Sequence, residues 1–230
     1  MSDSQSLAPA ATVRVTSRSG KVVVIGEARP DVEVAGKRVK AERSGDAIEV
    51  DAGSGKVEVR CPEGTDVIVG AASGSVELRG RLGDARVNAR SGKVTIERVT
   101  ALDVRSGSGS INVGCCEHHC RVQAGSGSIR VEEAGTVEVA TASGAVIAKH
   151  VDGASDVKAG SGSVELGVDL EGEVKVRAHS GSVTISVPPG VHPKTRLVAH
   201  SGKVRCDCEE GDDAPIDVVT GSGAITVVAR

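Results

Sequence analysis

Residues 122–131 read VQAGSGSIRV, and the same arrangement returns as VKAGSGSVEL at 157–166 and VRAHSGSVTI at 176–185. On both sides of a Ser-Gly pair, hydrophobic and polar residues alternate, which is typical of a strand, a tight turn and a second strand. The serine of this pair recurs as Ser19, Ser44, Ser54, Ser73, Ser91, Ser108, Ser126, Ser143, Ser161, Ser180, Ser201 and Ser222. The steps are nearly constant from Ser54 to Ser180, and the last two, to Ser201 and to Ser222, are longer. A period of this kind predicts one structural unit per step.

Two short strands in each repeat predict one coil of a β-solenoid, in which every strand pairs with its equivalent in the neighbouring coils. The predicted fold is therefore all-β: a single-domain β-solenoid of about eleven coils of about 18 residues, with Ser-Gly turns. We expect this domain to span residues 11–230. Residues 1–10 are polar and lie outside the repeat, so they are predicted to be a disordered tail.

Two sequence columns define the predicted interior. A small residue stands two positions before each of these serines except Ser44, which indicates that the walls of the coil approach closely beside the turn. An aliphatic residue stands two positions after each glycine, and a shift of one residue would turn this whole column towards solvent. The members of the aliphatic column are Val57, Val76, Val94, Ile111, Ile129, Val146, Val164, Val183, Val204 and Ile225.

Composition excludes several classes of function. The 230 residues include no Phe, Trp or Tyr, which disfavours aromatic platforms for single-stranded nucleic acid and aromatic cages for cations. The 28 basic and 31 acidic residues leave a formal net charge of −3, so no general attraction to nucleic acid or to an anionic membrane is expected. Neither a signal peptide nor an apolar run of about 18 residues is visible. We therefore expect a cytoplasmic chain with reduced thiols and no direct membrane insertion.

A cluster of soft ligands occupies one corner of the repeat. Cys115, His118, His119 and Cys120 are candidate ligands for Zn²⁺ or Cu⁺, since thiolates and imidazoles suit both ions. The spacing matches no zinc knuckle. In the repeat, Cys116 and Cys120 align with aliphatic residues of other coils, which favours buried thiols instead. The alternatives of no cofactor and of a Zn or Cu site both remain open at this point.

Other chemically active residues also fall on the repeat. Cys206 and Cys208 are predicted to share one face of a strand and Cys61 to occupy the equivalent place, as buried thiols. His179 and His200 share a register in consecutive coils, which predicts stacked imidazoles at about 4.8 Å, or two solvent-exposed turn residues. No nucleophile elbow, dinucleotide loop or phosphate loop is present in the sequence. The chain is therefore predicted not to be an enzyme.

The end of the chain suggests self-association. It finishes as GSGAITVVAR, a strand-like segment without a cap, and uncapped solenoid ends expose unpaired strand edges. Ile225, Val227 and Val228 are therefore predicted to pair with a second copy, as an end-to-end dimer or a filament. The alternatives are a partner-binding module that uses the long corners at 186–196 and 206–216, and a metal-binding protein that uses residues 115–120.

The repeated SGS-V-x-V coils resemble the bacterial putative-adhesin β-solenoid domain over about residues 11–230. Bactofilin-type filament proteins are the nearest structural rival. The first resemblance implies a β-solenoid of largely unknown function with an extracellular or envelope role, and the second implies filament formation. Neither resemblance supplies catalytic residues. The function predicted from the sequence is a rigid, non-catalytic scaffold or interaction protein.

Overall fold

The computed structural model describes residues 3–169 and 172–230, and within these ranges it contains strands and no helix. The all-β prediction is confirmed. The chain divides into two compact units, Met1–Glu117 and His118–Arg230. In the first unit the strands are β1 (Asp3–Leu7), β2 (Thr12–Glu27), β3 (Val32–Gly36), β4 (Lys40–Ser44), β5 (Ala47–Asp51), β6 (Ser54–Pro62), β7 (Asp66–Leu82), β8 (Ala85–Ser91), β9 (Val94–Val99) and β10 (Leu102–Ser108).

Strand β11 (Ile111–Ser126) runs across the division between the units. The strands of the second unit are β12 (Ile129–Ser143), β13 (Val146–Val151), β14 (Ser155–Ser161), β15 (Val164–Val168), β16 (Val174–Ser180), β17 (Val183–Val187), β18 (Lys194–Ser201), β19 (Val204–Cys206), β20 (Pro215–Ser222) and β21 (Ile225–Ala229).

Each coil contributes one strand segment before the Ser-Gly turn and one after it, which we call the leading and the trailing segment. Equivalent segments pair in parallel and in register, so that Ser73 lies opposite Ser91 and Ser161 lies opposite Ser180. The predicted solenoid register is therefore confirmed. Its interior is the aliphatic column, in which ten of the residues two positions after a glycine are at most 1% exposed: Val22, Val57, Val76, Val94, Ile111, Ile129, Val146, Val164, Val183 and Ile225.

The small residues beside the turn are also buried where a neighbouring coil covers them. Some of them carry a hydroxyl group, which needs a partner in this interior. Thr141 donates to the carbonyl oxygen of Ser143 at 3.1 Å, and Ser106 donates to that of Ser108 at 3.3 Å. The turn therefore accepts Ala, Ser or Thr at this position, because the backbone two residues later satisfies the hydroxyl.

Glycines of the Ser-Gly turns stack into a column, and where a neighbouring coil lies against the position of the Cβ atom there is no space for a side chain. Gly74 has a φ of 117°, and a Cβ atom on it would overlap the carbonyl oxygen of Gly20. Gly162 has a φ of 124°, and a Cβ atom on it would overlap the carbonyl oxygen of Gly144. Both the positive φ and the close backbone approach require glycine at this turn.

In the first unit, the first coil in sequence is not the first coil in the stack. β2 pairs with β5 and β6 on one side and with β7 on the other. The coil that comes second in the chain therefore lies outermost. Its edges are covered by antiparallel strands, β4 on β5 and β3 on β6. Val32 and Val34 of β3 are at most 3% exposed, so this end of the first unit has a cap made by its own chain.

The prediction of a disordered tail at 1–10 is corrected by the structure, in which β1 pairs antiparallel with β3. The hydroxyl groups of Ser4 and Ser6 donate to Glu33 at 2.7 Å and to Asp31 at 2.5 Å. The polar side chains that indicated disorder thus form hydrogen bonds along the edge of β3. Residues 1 and 2 of that prediction lie outside the described residues.

In the second unit, the last coil in sequence is likewise not the last in the stack. β20 pairs with β16 on one side and β18 on the other, and β21 lies in the same way between β17 and β19. After β17 the chain leaves a gap one strand wide and forms β18 and β19 on the far side of it. The last coil, β20 and β21, then occupies this gap. This detour explains the two lengthened steps between the final serines of the repeat and the long corners that accompany them.

Replacement of one glycine of the column tests the turn geometry. Gly74→Ala should lower the free energy of unfolding by about 2 kcal/mol or more, because the new methyl group meets a backbone carbonyl at a positive φ. Gly70 lies on the same strand with no atom within 4 Å of the place where a Cβ would lie. Gly70→Ala is therefore the matched control and should change stability by less than about 1 kcal/mol. Urea unfolding of both variants measures the difference, and equal losses would contradict the glycine column.

Candidate interaction site

One coil of the second unit is left without a neighbour on its outer side. This open coil, residues 194–206, consists of β18 and β19, each of which is paired on one side only in the described part of the chain. Its members occupy the same columns as buried residues elsewhere, but they are accessible. Val204 is 47% exposed, whereas Ile225, its partner in the ladder, is completely buried. Val204 is therefore the exception to the predicted buried column, because no further coil covers it.

The open coil presents an apolar inner face together with an unpaired strand edge. Residues of the inner face, half-buried or exposed, are Thr195, Leu197, Ala199, Val204 and Cys206. The amide of Lys194 donates to Ala214, towards the interior of the stack. Because alternate residues of a parallel strand hydrogen-bond to opposite neighbours, the backbone groups of Thr195 and Leu197 point to the open side. The open coil can therefore accept another strand and cover its own apolar face in doing so.

The self-association prediction for Ile225, Val227 and Val228 is wrong about the location of the open edge. β21 has paired strands on both sides, and Ile225 and Val227 are completely buried. The sequence ends on this strand, but the inserted coil order moves it one position inside the stack. The accessible edge belongs to β18 and β19 instead.

The two long corners predicted as a partner site lie directly before β18 and after β19. They are joined to one another by backbone contacts: the amide of Asp213 donates to the carbonyl of His192 at 3.1 Å, and that of Gly211 donates to Pro193 at 3.3 Å. The amide of His192 donates in return to the carboxylate of Asp213 at 2.9 Å. The corners thus form one connected rim at one end of the open coil.

Positive charge dominates the strands of the open coil, and residues 194–206 contain no Asp or Glu. Arg205 binds Asp207 at 2.8 Å, and Lys194 binds Asp212 at 3.0 Å, both at the rim. Arg196 lies 3.8 Å from Asp217, a carboxylate that it shares with Arg177. Lys203 forms no ion pair in the ranges that the structure describes.

The predicted stack of His179 and His200 is also corrected by the coil order. Ser180 and Ser201 both lie opposite Ser222, so Gly221 separates the two histidines in the ladder. The histidines are therefore two strand spacings apart, about 9 to 10 Å along the stack. His200 Nδ1 lies 3.3 Å from the carbonyl oxygen of Thr220.

The residues of the predicted metal site lie on one strand, β11, with alternating environments. Cys116 and Cys120 are at most 1% exposed, as their alignment with aliphatic columns predicted. Cys115 is half-buried, and His118 and His119 are exposed. His119 Nδ1 lies 2.9 Å from the hydroxyl oxygen of Thr136. Within the described residues, no three His, Cys, Asp or Glu side chains are grouped so that they could hold a metal ion.

The remaining cysteines differ from one another more than the repeat predicts. Cys61 is completely buried, and burial raises the pKa of its thiol to about 11. Cys206 is exposed and Cys208 is half-buried, so the prediction of buried thiols is wrong for Cys206. The reason is again its position on the open coil, since its ladder partner Val227 is completely buried.

One shallow groove in the first unit is lined by Gly80, Arg81, Glu97, Arg98 and Glu117. Its carboxylates are engaged by arginines or by a backbone amide. Glu117 lies 3.3 Å from Arg81 and 3.9 Å from Arg98, and Glu97 accepts the amide of Gly80 at 2.9 Å. These contacts make the groove a network of surface ion pairs, with its carboxylates already engaged.

The family model described as Toastrack DUF4097 matches residues 11–228. The chain is similar to a putative cell adhesion protein from Clostridium sporogenes (12% identity, 100% of this chain and 99% of that chain, TM-score 0.26). It is also similar to a putative adhesin from Bacteroides fragilis (9% identity, 99% of this chain and 97% of that chain, TM-score 0.45). A putative adhesin from Parabacteroides distasonis is similar as well (15% identity, 100% of this chain and 96% of that chain, TM-score 0.37). The family resemblance expected from the repeats is confirmed.

No curated protein matches the chain. Across the described ranges, no helix has the length and apolar character that a membrane crossing requires.

The exposure of the open coil predicts unequal effects of one substitution in one column. Val183→Ala should lower the free energy of unfolding by about 2 kcal/mol, because it removes fully buried methyl groups. Val204→Ala should cost less than about 1 kcal/mol, since Val204 is 47% exposed. Urea unfolding of the two variants compares them directly. Equal losses would show that the open coil is covered in solution.

Thiol labelling tests the same difference at the cysteines. With iodoacetamide at pH 8, Cys206 should be modified in the native protein while Cys61 is protected. The thiolate is the reactive form, and a pKa of about 11 keeps Cys61 protonated until the pH approaches that value. Peptide mapping by mass spectrometry gives the rate at each site, and labelling in denaturant is the control. Modification of native Cys61 at the rate of Cys206 would contradict its burial.

Proposed function

The chain belongs to the Toastrack DUF4097 family, and from that premise we propose that it is a non-catalytic interaction module that binds a partner protein at the open coil. The observation that supports this function is the contrast between equivalent residues. Val204 and Cys206 are exposed in columns whose other members are buried. An apolar face beside an unpaired strand edge is the arrangement that strand-adding partners use.

The outermost coil of the first unit and the open coil of the second unit differ in how their edges are covered, which favours a functional reason for the open edge. In the first unit, β3 and β4 cover the outermost coil. The second unit has no equivalent strands beyond β18 and β19 within the described residues. Proteins usually protect exposed strand edges, because such edges recruit other chains. An edge left open beside a built rim is consistent with a docking position for another protein.

A catalytic role has less support in the observed geometry. The groove of the first unit has its two carboxylates engaged by arginines or by a backbone amide. Cys61 has a raised pKa and a buried thiol, which is the opposite of an activated nucleophile. The open coil offers shape, hydrogen-bonding groups and charge, which are the requirements of recognition.

The test is capture of the partner by edge-blocked variants. Thr195→Pro places a ring on the open edge without removing a ladder hydrogen bond, and Val204→Lys places a charge on the apolar face. Purified from the cells that produce it, the unmodified chain should retain a partner protein that both variants lose. Lys158→Glu is the control, because Lys158 is exposed on β14, which is paired on both sides. Retention of the same partner by all four proteins, each folded by circular dichroism, would contradict the proposal.

A further inference from the structure

The chemistry of the open coil also indicates what kind of segment covers it. We propose that the open coil binds an extended segment of a partner protein in which aliphatic and acidic residues alternate. This inference rests on the proposed function and specifies the chemistry of its ligand. It follows from three features: the inner face, the charge on the outer face, and the strand β3, which covers the trailing segment of the outermost coil in the first unit.

The inner face calls for aliphatic side chains. In the neighbouring coil, which is paired on both sides, the positions equivalent to Leu197 and Val204 are fully buried as Val218 and Ile225. A strand added beside β18 would point alternate side chains to the same inner face. Aliphatic residues at those positions would bury the exposed part of Val204 and extend the existing column.

The first unit provides an example of a strand that covers such an edge. β3 pairs with β6 so that Val34 lies opposite Val59 on the inside. The adjacent residue, Glu33, lies opposite Arg60 on the outside. β3 begins VEV, alternating aliphatic and acidic residues. The chain therefore covers one of its own edges with the pattern that we propose for the partner.

On the outer face of the open coil, a row of alternating charges ends on a cation, with no carboxylate beyond it in the described part of the chain. Along one row of the leading segments, charges alternate from Lys175 to Asp217 to Arg196. Asp217 lies 3.8 Å from Arg196 and also 3.5 Å from Arg177, two residues beyond Lys175, so one carboxylate serves two guanidinium groups. Arg196 and Lys203 are both exposed on the open coil, which has no strand beside it on its outer side in the described residues. A carboxylate on the added strand would continue the alternation, since opposite charges on adjacent strands are favourable.

A second copy of the chain is a less suitable occupant. Two open coils that met edge to edge would bring together two copies of Arg196 and Lys203, the cations of the open coil that are not paired with a carboxylate of the rim within the described residues. Like charges placed directly opposite are destabilising. The carboxylates of the rim lie at the strand ends and are already occupied, with Asp207 on Arg205 and Asp212 on Lys194. Charge complementarity therefore selects a different, acidic partner.

Labelled peptides test this specificity. Three peptides of equal length with Gly-Ser ends carry alternating Val and Glu, alternating Val and Lys, or alternating Ser and Glu. Fluorescence anisotropy with the full chain should show saturable binding of the Val-Glu peptide, and at least about tenfold weaker binding of the other two. The affinity should also fall as salt is raised, because the contacts are partly exposed ion pairs.

Charge reversal provides the decisive comparison. Arg196→Glu combined with Lys203→Glu should weaken the Val-Glu peptide at least about tenfold and improve the Val-Lys peptide. Lys158→Glu, away from the edge, should leave both affinities unchanged. Val204→Lys should weaken both peptides, since it disrupts the shared apolar contact.

Four results would overturn the inference. The peptides could bind equally well, or the charge-reversed variant could keep its preference for Val-Glu. Sedimentation could show a concentration-dependent dimer that Val204→Lys abolishes, which would assign the open coil to a second copy. If no peptide binds while the edge-blocked variants still lose their captured protein, the proposed function stands and the alternating acidic segment is wrong.

Discussion

Every coil depends on one close contact between backbones at the Ser-Gly turn. The carbonyl oxygen of one glycine occupies the place where the next glycine would carry its Cβ, as between Gly20 and Gly74. This contact fixes the corner of each coil and brings the two walls together, so that only small side chains fit beside it. Aromatic rings are excluded from that position by size, which agrees with a chain that contains none. Stacked valines fill the wider part of the interior.

The sequence was sufficient to predict the register of the coils but not their order. Alternation places Val183 and Val204 inside, and the structure confirms the inward direction of both. Parallel pairing in register looks the same for any pair of coils, so the pattern does not say which coil is the neighbour. The prediction that His179 and His200 stack is wrong for this reason. Gly221 of the intervening coil lies between them. The irregular Ser44 and the two lengthened final steps were the signals of reordering in each unit.

The candidate site could not be predicted from the sequence either, because the sequence does not give the order of the coils. Val204 and Cys206 have the pattern of buried residues, and only their place in the stack exposes them. The long corners were visible as lengthened steps and lie next to the open coil, although the edge itself was expected on β21. Burial of Cys116 and Cys120 was predictable, because they align with aliphatic residues of other coils. Exposure in a repeat structure is thus a property of the coil's position and not of its sequence.

The inserted last coil separates the order of synthesis from the order of assembly. β18 and β19 leave the ribosome before β20 and β21, yet those later strands are the ones to which they hydrogen-bond. A nascent chain that has reached residue 206 therefore has no ladder partner for the open coil and a vacant place beside β16 and β17. The final strands fill both at once. The open coil of the second unit can form only when translation of that unit is complete, so truncated products would lack it.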